Sequence, residues 1–306
     1  MTIGSSCFEA NLGDIKLFVS PNSFLKYSAE FIRKAIRVNT LKISVEELKE
    51  RLEKQGWELT QVPWCKEGFW IKGERRDLGN LAEHVLGYIY VQEAASMIPA
   101  VVLAPKPDEI VLDMCASPGS KTTQMIQYME NKGLVIANDL TGERLKSLAI
   151  NVQRIGATNT VITRISGDKF PEIKFDRILV DAPCSGTGTI RKSLRTIETW
   201  NPDLVRRIAA LQKKLIERAF NLLKENGEMV YSTCTLEPEE NEEIINFLLE
   251  KYPNAKLEEI NLDIKRSKAV LEFGGKKYNE EIEKCLRIYP QDNDTEGFFV
   301  AKLRKY

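Results

Sequence analysis

The sequence predicts an α/β protein, with a mostly parallel, doubly wound sheet behind a smaller α+β module. Three observations predict it. After residue 105 the pattern strand, turn, helix recurs several times, which argues for parallel strands covered by helices on both faces. Before it, short strands surround one well-capped helix. The 306 residues suffice for about two domains and a sizeable core.

The elements follow in order. Residues 36–42 read as a strand. Ser44 is placed to cap a helix, with Glu47 three residues on to complete a capping box. The helix runs through Leu48 and Leu52 and stops at Gly56. Residues 57–62 and 68–72 read as strands, and 94–103 as helix. Ala104-Pro105-Lys106-Pro107-Asp108 then breaks the pattern. It sets the expected boundary between an N-terminal module, 1–105, and a larger domain, 106–306. Beyond it strands are expected at 109–115, 134–140, 161–165, 175–181, 229–234 and 296–303. Helices are expected at 120–129, 143–155, 202–224 and 239–251. Gly156 and Asn226-Gly227 punctuate two helix ends.

Composition removes several function classes. A single histidine, His84, excludes His-rich zinc sites and Ser-His-Asp triads. The six cysteines, at 7, 65, 115, 184, 234 and 285, form no C-x-x-C pair. No metal is expected. Residues 1–11 lack the basic and apolar regions of a secretory signal. The longest apolar stretch, 97–104, contains Pro99 and is too short to span a bilayer. A cytoplasmic protein with free thiols, not bound to a membrane, is expected.

In doubly wound sheets ligands bind beyond the carboxyl ends of the strands. The first ends in Asp113-Met114-Cys115-Ala116-Ser117-Pro118-Gly119-Ser120-Lys121-Thr122. Its small residues allow close approach to the backbone before a helix N-terminus. The second ends in Asn138-Asp139, and an acid about 20 residues after a glycine turn suits a ribose diol. Asp168 follows the third, and Asp181 ends the fourth. A phosphate loop fails, because Cys115 and Ser120 stand where glycines are needed. A dinucleotide fingerprint is absent. S-adenosylmethionine remains as a nucleoside ligand without a polyphosphate.

Strand four continues Asp181-Ala182-Pro183-Cys184, and strand five ends Ser232-Thr233-Cys234. Neighbouring strands would bring both thiols to one crevice. That chemistry suits a pyrimidine. A thiolate adding to C6 makes C5 nucleophilic enough to take a methyl group from a sulfonium. A nearby acid favours the addition, and a base must then remove the C5 proton. The residues alone leave open which cysteine attacks.

At these motifs the sequence resembles the RNA cytosine-C5 methyltransferases of the Nol/Nop/Sun family, of archaeal or bacterial type. The motifs that carry the resemblance are 113–122, Asp181 to Gly188, Tyr231 to Leu236 with Pro238-Glu239-Glu240-Asn241-Glu242, and upstream 37–42 and 90–96. It implies a class I methyltransferase domain, with a mostly parallel seven-stranded sheet, behind a small RNA-recognition-like module. It implies Cys234 as the nucleophile and Cys184 as the residue that assists product release. In DNA cytosine-C5 methyltransferases the Pro-Cys thiol attacks instead, which would favour Cys184. The resemblance also implies that Asp181 and Lys121 contact the cytosine. It places Cys115, Ala116, Ser117, Pro118, Gly119, Ser120, Lys121, Asp139, Asp168 and Asp181 around S-adenosylmethionine, with Arg144 beside them. Two positions depart from the family pattern: Ser120 replaces a second glycine, and Thr235 replaces a serine.

The expected substrate is RNA, tRNA before rRNA, acted on by a monomer without a further RNA-binding domain. A DNA or small-molecule methyltransferase and an RNA-binding factor without turnover are the competing readings. Zero net charge argues against a polyanion only as an average. The window 191–218 holds eight basic and three acidic residues. Arg191, Lys192 and Arg195 at its start are therefore expected to meet phosphates. Leu204, Ile208, Leu211, Leu215, Ala219 and Leu222 recur at helical spacing and are expected in the core.

Overall fold

A computed structural model describes residues 21–74 and 77–306. Cys7 and the segment 1–11 lie outside the described residues. After helix α1 (Pro21–Ala29), the N-terminal module is an antiparallel sheet in the order β2-β3-β1-β4. Its strands are β1 (Ala35–Val38), β2 (Glu58–Gln61), β3 (Gly68–Lys72) and β4 (Ile89–Val91). Helix α2 (Val45–Glu53) turns Leu48 and Leu52 into a core with Ile36, Trp57, Phe69 and Ile71. Ser44 caps it, its Oγ accepting from the Glu47 N–H at 3.1 Å. The strand expected over 36–42 ends at Val38. There the Asn39 amide turns the chain by donating to the carbonyls of Gly87 and Ile155, at 2.8 and 2.9 Å.

The short helix α3 (Ala82–Val85) precedes β4. Helix α4 (Ile98–Leu103) lies before the expected boundary, yet it packs on the larger sheet. Ile98 and Leu103 share a cluster with Val111, Leu179 and Val230. That sheet contains β5 (Ile110–Asp113), β6 (Leu134–Asn138), β7 (Thr160–Thr163), β8 (Phe175–Asp181) and β9 (Leu223–Thr233), all parallel. Helices α5 (Ser120–Tyr128), α6 (Gly142–Ile155), α7 (Arg195–Thr199), α8 (Pro202–Leu222) and α9 (Glu242–Lys251) accompany it.

The strand path is β10-β14-β9-β8-β5-β6-β7, seven strands as the motifs imply. Antiparallel β14 (Phe298–Lys305) lies beside β9. Its outer edge is shared by two short strands. β13 (Leu286–Ile288) pairs with Phe298–Val300, and β10 (Ala255–Glu258) with Lys302–Lys305. β13 is thus an eighth strand of this sheet, and neither it nor β10 is among the strands expected from the sequence, since three or four residues carry no readable period; β11 (Glu272–Phe273) and β12 (Lys276–Lys277) pair only with each other. β9 also starts six residues early. Leu223 pairs with Phe175, the chain bulges out with Asn226 at φ +61°, and pairing resumes at Glu228. The expected helix over 239–251 is a 3-10 turn (Pro238–Glu240) and then α9, broken at Asn241.

Module and sheet are tied by Arg37. Its buried guanidinium donates to Gln92 and to the Ser120 carbonyl at 2.8 Å, and to Thr123 at 2.9 Å. The ring of Tyr90 lies 5.4 Å from it.

Candidate active site

The carboxyl ends of β5, β8 and β9 converge on a cavity of about 330 Å³ between the two sheets. Asp181 and Ser232 are partners in the β8–β9 register. That register carries Cys184 and Cys234 off adjacent strands, and their sulfurs lie 3.2 Å apart as free thiols. Cys234 lines the cavity with Asp181, Lys121 and Phe298. Cys184 is not in the lining.

The charges around Cys234 are fixed. Lys121 Nζ is 2.8 Å from Asp181 Oδ2 and donates to Ser96 Oγ at 3.2 Å. Burial presses the Lys121 pKa down, but the Asp181 charge and hydrogen bond more than reverse this, so it stays a cation. Asp181 Oδ1 accepts from Ser232 Oγ at 2.8 Å. The Cys184 thiol is pushed well above its ordinary value by its hydrogen bond to Cys234, by burial and by the Cys234 charge. Cys184 therefore keeps its proton and offers an S–H toward the Cys234 sulfur.

The loop after β9 is held on both sides of Cys234. Asn241 Oδ1 accepts from Thr233 Oγ1 at 2.5 Å, and its Nδ2 donates to the Thr235 carbonyl at 3.0 Å. The Thr235 hydroxyl meets those of Ser185 and Thr187, at 2.8 and 2.9 Å. Either serine or threonine supplies that hydroxyl, so the departure at 235 is conservative here. Gly188 donates its N–H to the Cys234 carbonyl at 3.0 Å, and a Cβ there would lie 2.7 Å from that oxygen.

A second cavity, about 190 Å³, lies over the ends of β5, β6 and β7. Cys115, Asp139, Arg144, Ile165, Leu211 and Leu215 are in its wall. Asp139 Oδ2 accepts from the Ser117 N–H at 3.2 Å and lies 3.5 Å from Arg144, which donates to the Ser117 carbonyl at 2.8 Å. The Ala116 N–H donates to the Asn138 carbonyl at 2.7 Å, and the Ser117–Pro118 peptide is cis. Gly119 has φ +104° and caps α5, while Ser120 is already helical and accommodates its Cβ. Asp168 follows β7 in a 3-10 turn and accepts from Ser166 Oγ. Asp113 lies beneath this loop. Burial raises its carboxyl to about 7 despite the Thr122 hydroxyl 2.7 Å away.

Two expectations are corrected. Arg191 is not at the surface: its side chain is 1% exposed and paired with Asp294 at 2.8 Å. It also donates to the carbonyls of Glu30, Phe31 and Thr295. Lys192 does line the first cavity, 68% exposed. The helix stripe holds only in its second half. Leu215, Ala219 and Leu222 are in the core, Leu204 and Ile208 are half-buried, and Leu211 is exposed and lines the second cavity; Val205, Ala209, Ile216 and Phe220 complete the core face.

Comparison with known proteins decides the family. Residues 100–304 match the 16S rRNA methyltransferase RsmB/F family, and 11–94 match the N-terminal domain of 16S rRNA methyltransferase RsmF. The chain belongs to the RsmB/F methyltransferase family. A tRNA (cytosine(49)-C(5))-methyltransferase of Pyrococcus abyssi is 50% identical over 92% of this chain and 91% of its own length. A ribosomal RNA small subunit methyltransferase F of Psychromonas ingrahamii is 46% identical over 90% of this chain, which spans only 57% of that relative. The crystal structure of NSun6 from Pyrococcus horikoshii with SFG, an analogue of the methyl donor, is 28% identical. It superposes with a TM-score of 0.79 over 93% of this chain and 94% of that one.

RsmB/F proteins use S-adenosylmethionine, and the second cavity fits it. Asp139 would hold the ribose diol, and Ile165, Leu211 and Leu215 supply apolar walls for adenine. Asp113 Oδ1 and Ser117 Oγ are buried without a partner, as polar groups awaiting a charged amino-acid end would be. The sequence reading missed Glu93, Glu296 and Phe298 in the first cavity. Glu93 sits inside a motif already singled out, but nothing in its spacing marked it. No helix among the described residues is long and apolar enough to cross a membrane.

Proposed function

We infer that this chain transfers a methyl group to C5 of a cytosine in tRNA through a covalent bond between Cys234 and C6. The observation that carries the reading is the position of Cys234. Of the two thiols it alone opens on the cavity that holds Lys121 and Asp181. Its thiolate adds to C6, and the Lys121 cation stabilises the negative charge pushed toward the polar edge of the ring. Asp181 orients Lys121 and receives the exocyclic amine. S-adenosylmethionine supplies an electrophilic methyl group to C5. Water in the cavity then takes the C5 proton as base, the C5–H electron pair restores the C5–C6 double bond, and the Cys234 sulfur leaves as a thiolate. The Cys184 S–H, held 3.2 Å away, hydrogen-bonds the departing thiolate.

Cys115 to Lys121, Asp139, Arg144, Asp168 and Asp181 surround the donor in this reading. The module 1–105 guides RNA to the catalytic domain 106–306, and one copy suffices. A reducing cytosol keeps both thiols free. The choice of tRNA rests on the Pyrococcus abyssi relative, similar over nearly its whole length. The family description supports 16S rRNA as the second reading.

The test uses labelled donor with tRNA, 16S rRNA and DNA, followed by bisulfite sequencing of the labelled product. Label at C5 in tRNA is expected. Cys234→Ala abolishes it, and Cys184→Ala accumulates an RNA–protein adduct on denaturing gels. Turnover by Cys234→Ala, with no adduct from Cys184→Ala, reverses the roles. Label confined to DNA, or none despite RNA binding, overturns the reading.

A further inference from the structure

The catalytic cavity has a neighbour. A volume of about 390 Å³ opens on the far side of its wall, and Gln92, Glu93, Lys192 and Glu296 line both spaces. The neighbour's other walls are the 32–35 segment and the 3-10 turn Leu78–Asn80, which contributes Leu78 and Gly79.

The residue before that segment is unusual. Phe31 is 97% exposed, so its ring contributes no burial to the fold. The backbone that carries it is nonetheless fixed. Arg191 donates to the Phe31 carbonyl at 3.1 Å and to the Glu30 carbonyl at 3.3 Å. Arg33 donates to the Asn293 carbonyl at 2.6 Å and pairs with Asp294 at 2.8 Å, its guanidinium 3.8 Å from the Trp70 ring. Two arginines thus pin a loop whose aromatic side chain is left in water. Base–aromatic stacking on such a platform tolerates any sequence.

The shared wall carries the second argument. Adjacent nucleotides seated in the two spaces must pass their linking phosphate across it. Lys192 is its exposed cation, 3.9 Å from the Glu296 carboxyl and still largely in water. Glu296 is buried there and Glu93 half-buried, and desolvation raises both carboxyls, so they oppose a phosphate less than two free carboxylates would.

We propose that this neighbouring cavity of about 390 Å³ binds the nucleotide next to the target cytosine, with its base reaching past the lining residue Ile32 onto Phe31 and the linking phosphate on Lys192. The inference rests on the RNA reading above. It assigns the module a role in reading the target's neighbour.

The experiment uses the full chain and a tRNA transcript whose methylated cytosine has been mapped. Matching transcripts carry an abasic nucleotide on its 5′ or its 3′ side. Wild-type protein should show KM raised about five- to 100-fold by one of the two abasic sites, the range of a lost base–aromatic stack. Phe31→Ala should raise KM for intact RNA similarly and remove the abasic penalty, with kcat within about twofold. Gly79→Trp should do the same by filling the cavity, since a Cβ at Gly79 meets nothing within 4 Å. Wild-type KM in both variants, or an abasic penalty undiminished in both, overturns the proposal. Wild-type protein that methylates no RNA overturns the functional reading, and this one with it.

Discussion

Asn241→Ala separates the geometry of the Cys234 loop from its chemistry. Asn241 is fully buried and touches no substrate cavity. It joins Thr233 to Thr235 across Cys234 through bonds of 2.5 and 3.0 Å. Alanine leaves the Thr233 hydroxyl and the Thr235 carbonyl without that partner in a dry site. Each such loss costs about 1–3 kcal/mol, or about 2–6 kcal/mol together. Against a total of about 5–15 kcal/mol the variant stays folded at low temperature. A freed loop lets the sulfur drift, and a displacement of about 1 Å costs on the order of 100-fold in rate. Single-turnover methylation should therefore slow about 10- to 100-fold while KM for RNA holds. Asn246→Ala is the control. Asn246 lies on helix α9, which begins just after Asn241, and bonds Asn279 and Glu250, away from Cys234. It should lose stability without losing rate. An unchanged rate in Asn241→Ala, or equal rate losses in the two variants, refutes the positioning role.

Glu93→Gln tests the raised carboxyl in the cavity wall. Burial and the Glu296 charge lift Glu93 from 4.5 to about 8, so the fold holds a proton that the unfolded chain releases. Stability from this group is present at low pH and is lost as pH rises from about 4.5 to 8. The variant should gain on wild type across that window in urea melts, and parallel curves would refute this. Glu242→Gln breaks a pair with Arg287 that is 0% and 1% exposed, at 2.5 Å. It should cost about 3–5 kcal/mol in urea melts, with part recovered by adding Arg287→Met. Lys192→Glu with Arg195→Glu should weaken RNA binding and flatten its salt dependence, by about 0.7–0.9 in log–log slope for each phosphate no longer neutralised. An unchanged slope would move the RNA path elsewhere.

Most of the sheet is legible in the sequence because its strands are bounded by sharp signals. Phe175–Asp181 has the expected bounds, since a buried apolar run ends at an acid before Pro183. Gly156, at φ +82°, ends α6 as expected of a glycine cap. The region from 255 to 297 is not legible. Its strands are two to four residues long and gain their place from β14 or from each other, not from a pattern of their own. Site residues on strand ends are legible because topology alone places them. Glu296 is not, because it reaches the cavity from the antiparallel edge. The helix stripe fails at Leu211 for a related reason, while Leu215, Ala219 and Leu222 are in the core as expected. A face three residues wide fits Leu211 as well as Val205, and only the neighbouring loop decides that Leu211 looks onto a ligand cavity.

Charge shows why counting by segment improves on the total and still falls short. The window 191–218 counts a net +5 in sequence. In the fold, Asp294, Glu243 and Glu172 enter from outside it and pair with Arg191, Lys213 and Arg218. Lys192 is also 3.9 Å from Glu296, so what is left for a polyanion is smaller and more local than the count. Lys192 is the part of it in the catalytic cavity wall, and Arg195 is exposed three residues on. Arg191, the first cation of the run, is held within the scaffold. Its charge goes into pinning the Phe31 loop. A neutral protein can thus bind a polyanion when most of its cations hold the scaffold and a few are left at the mouth of the site.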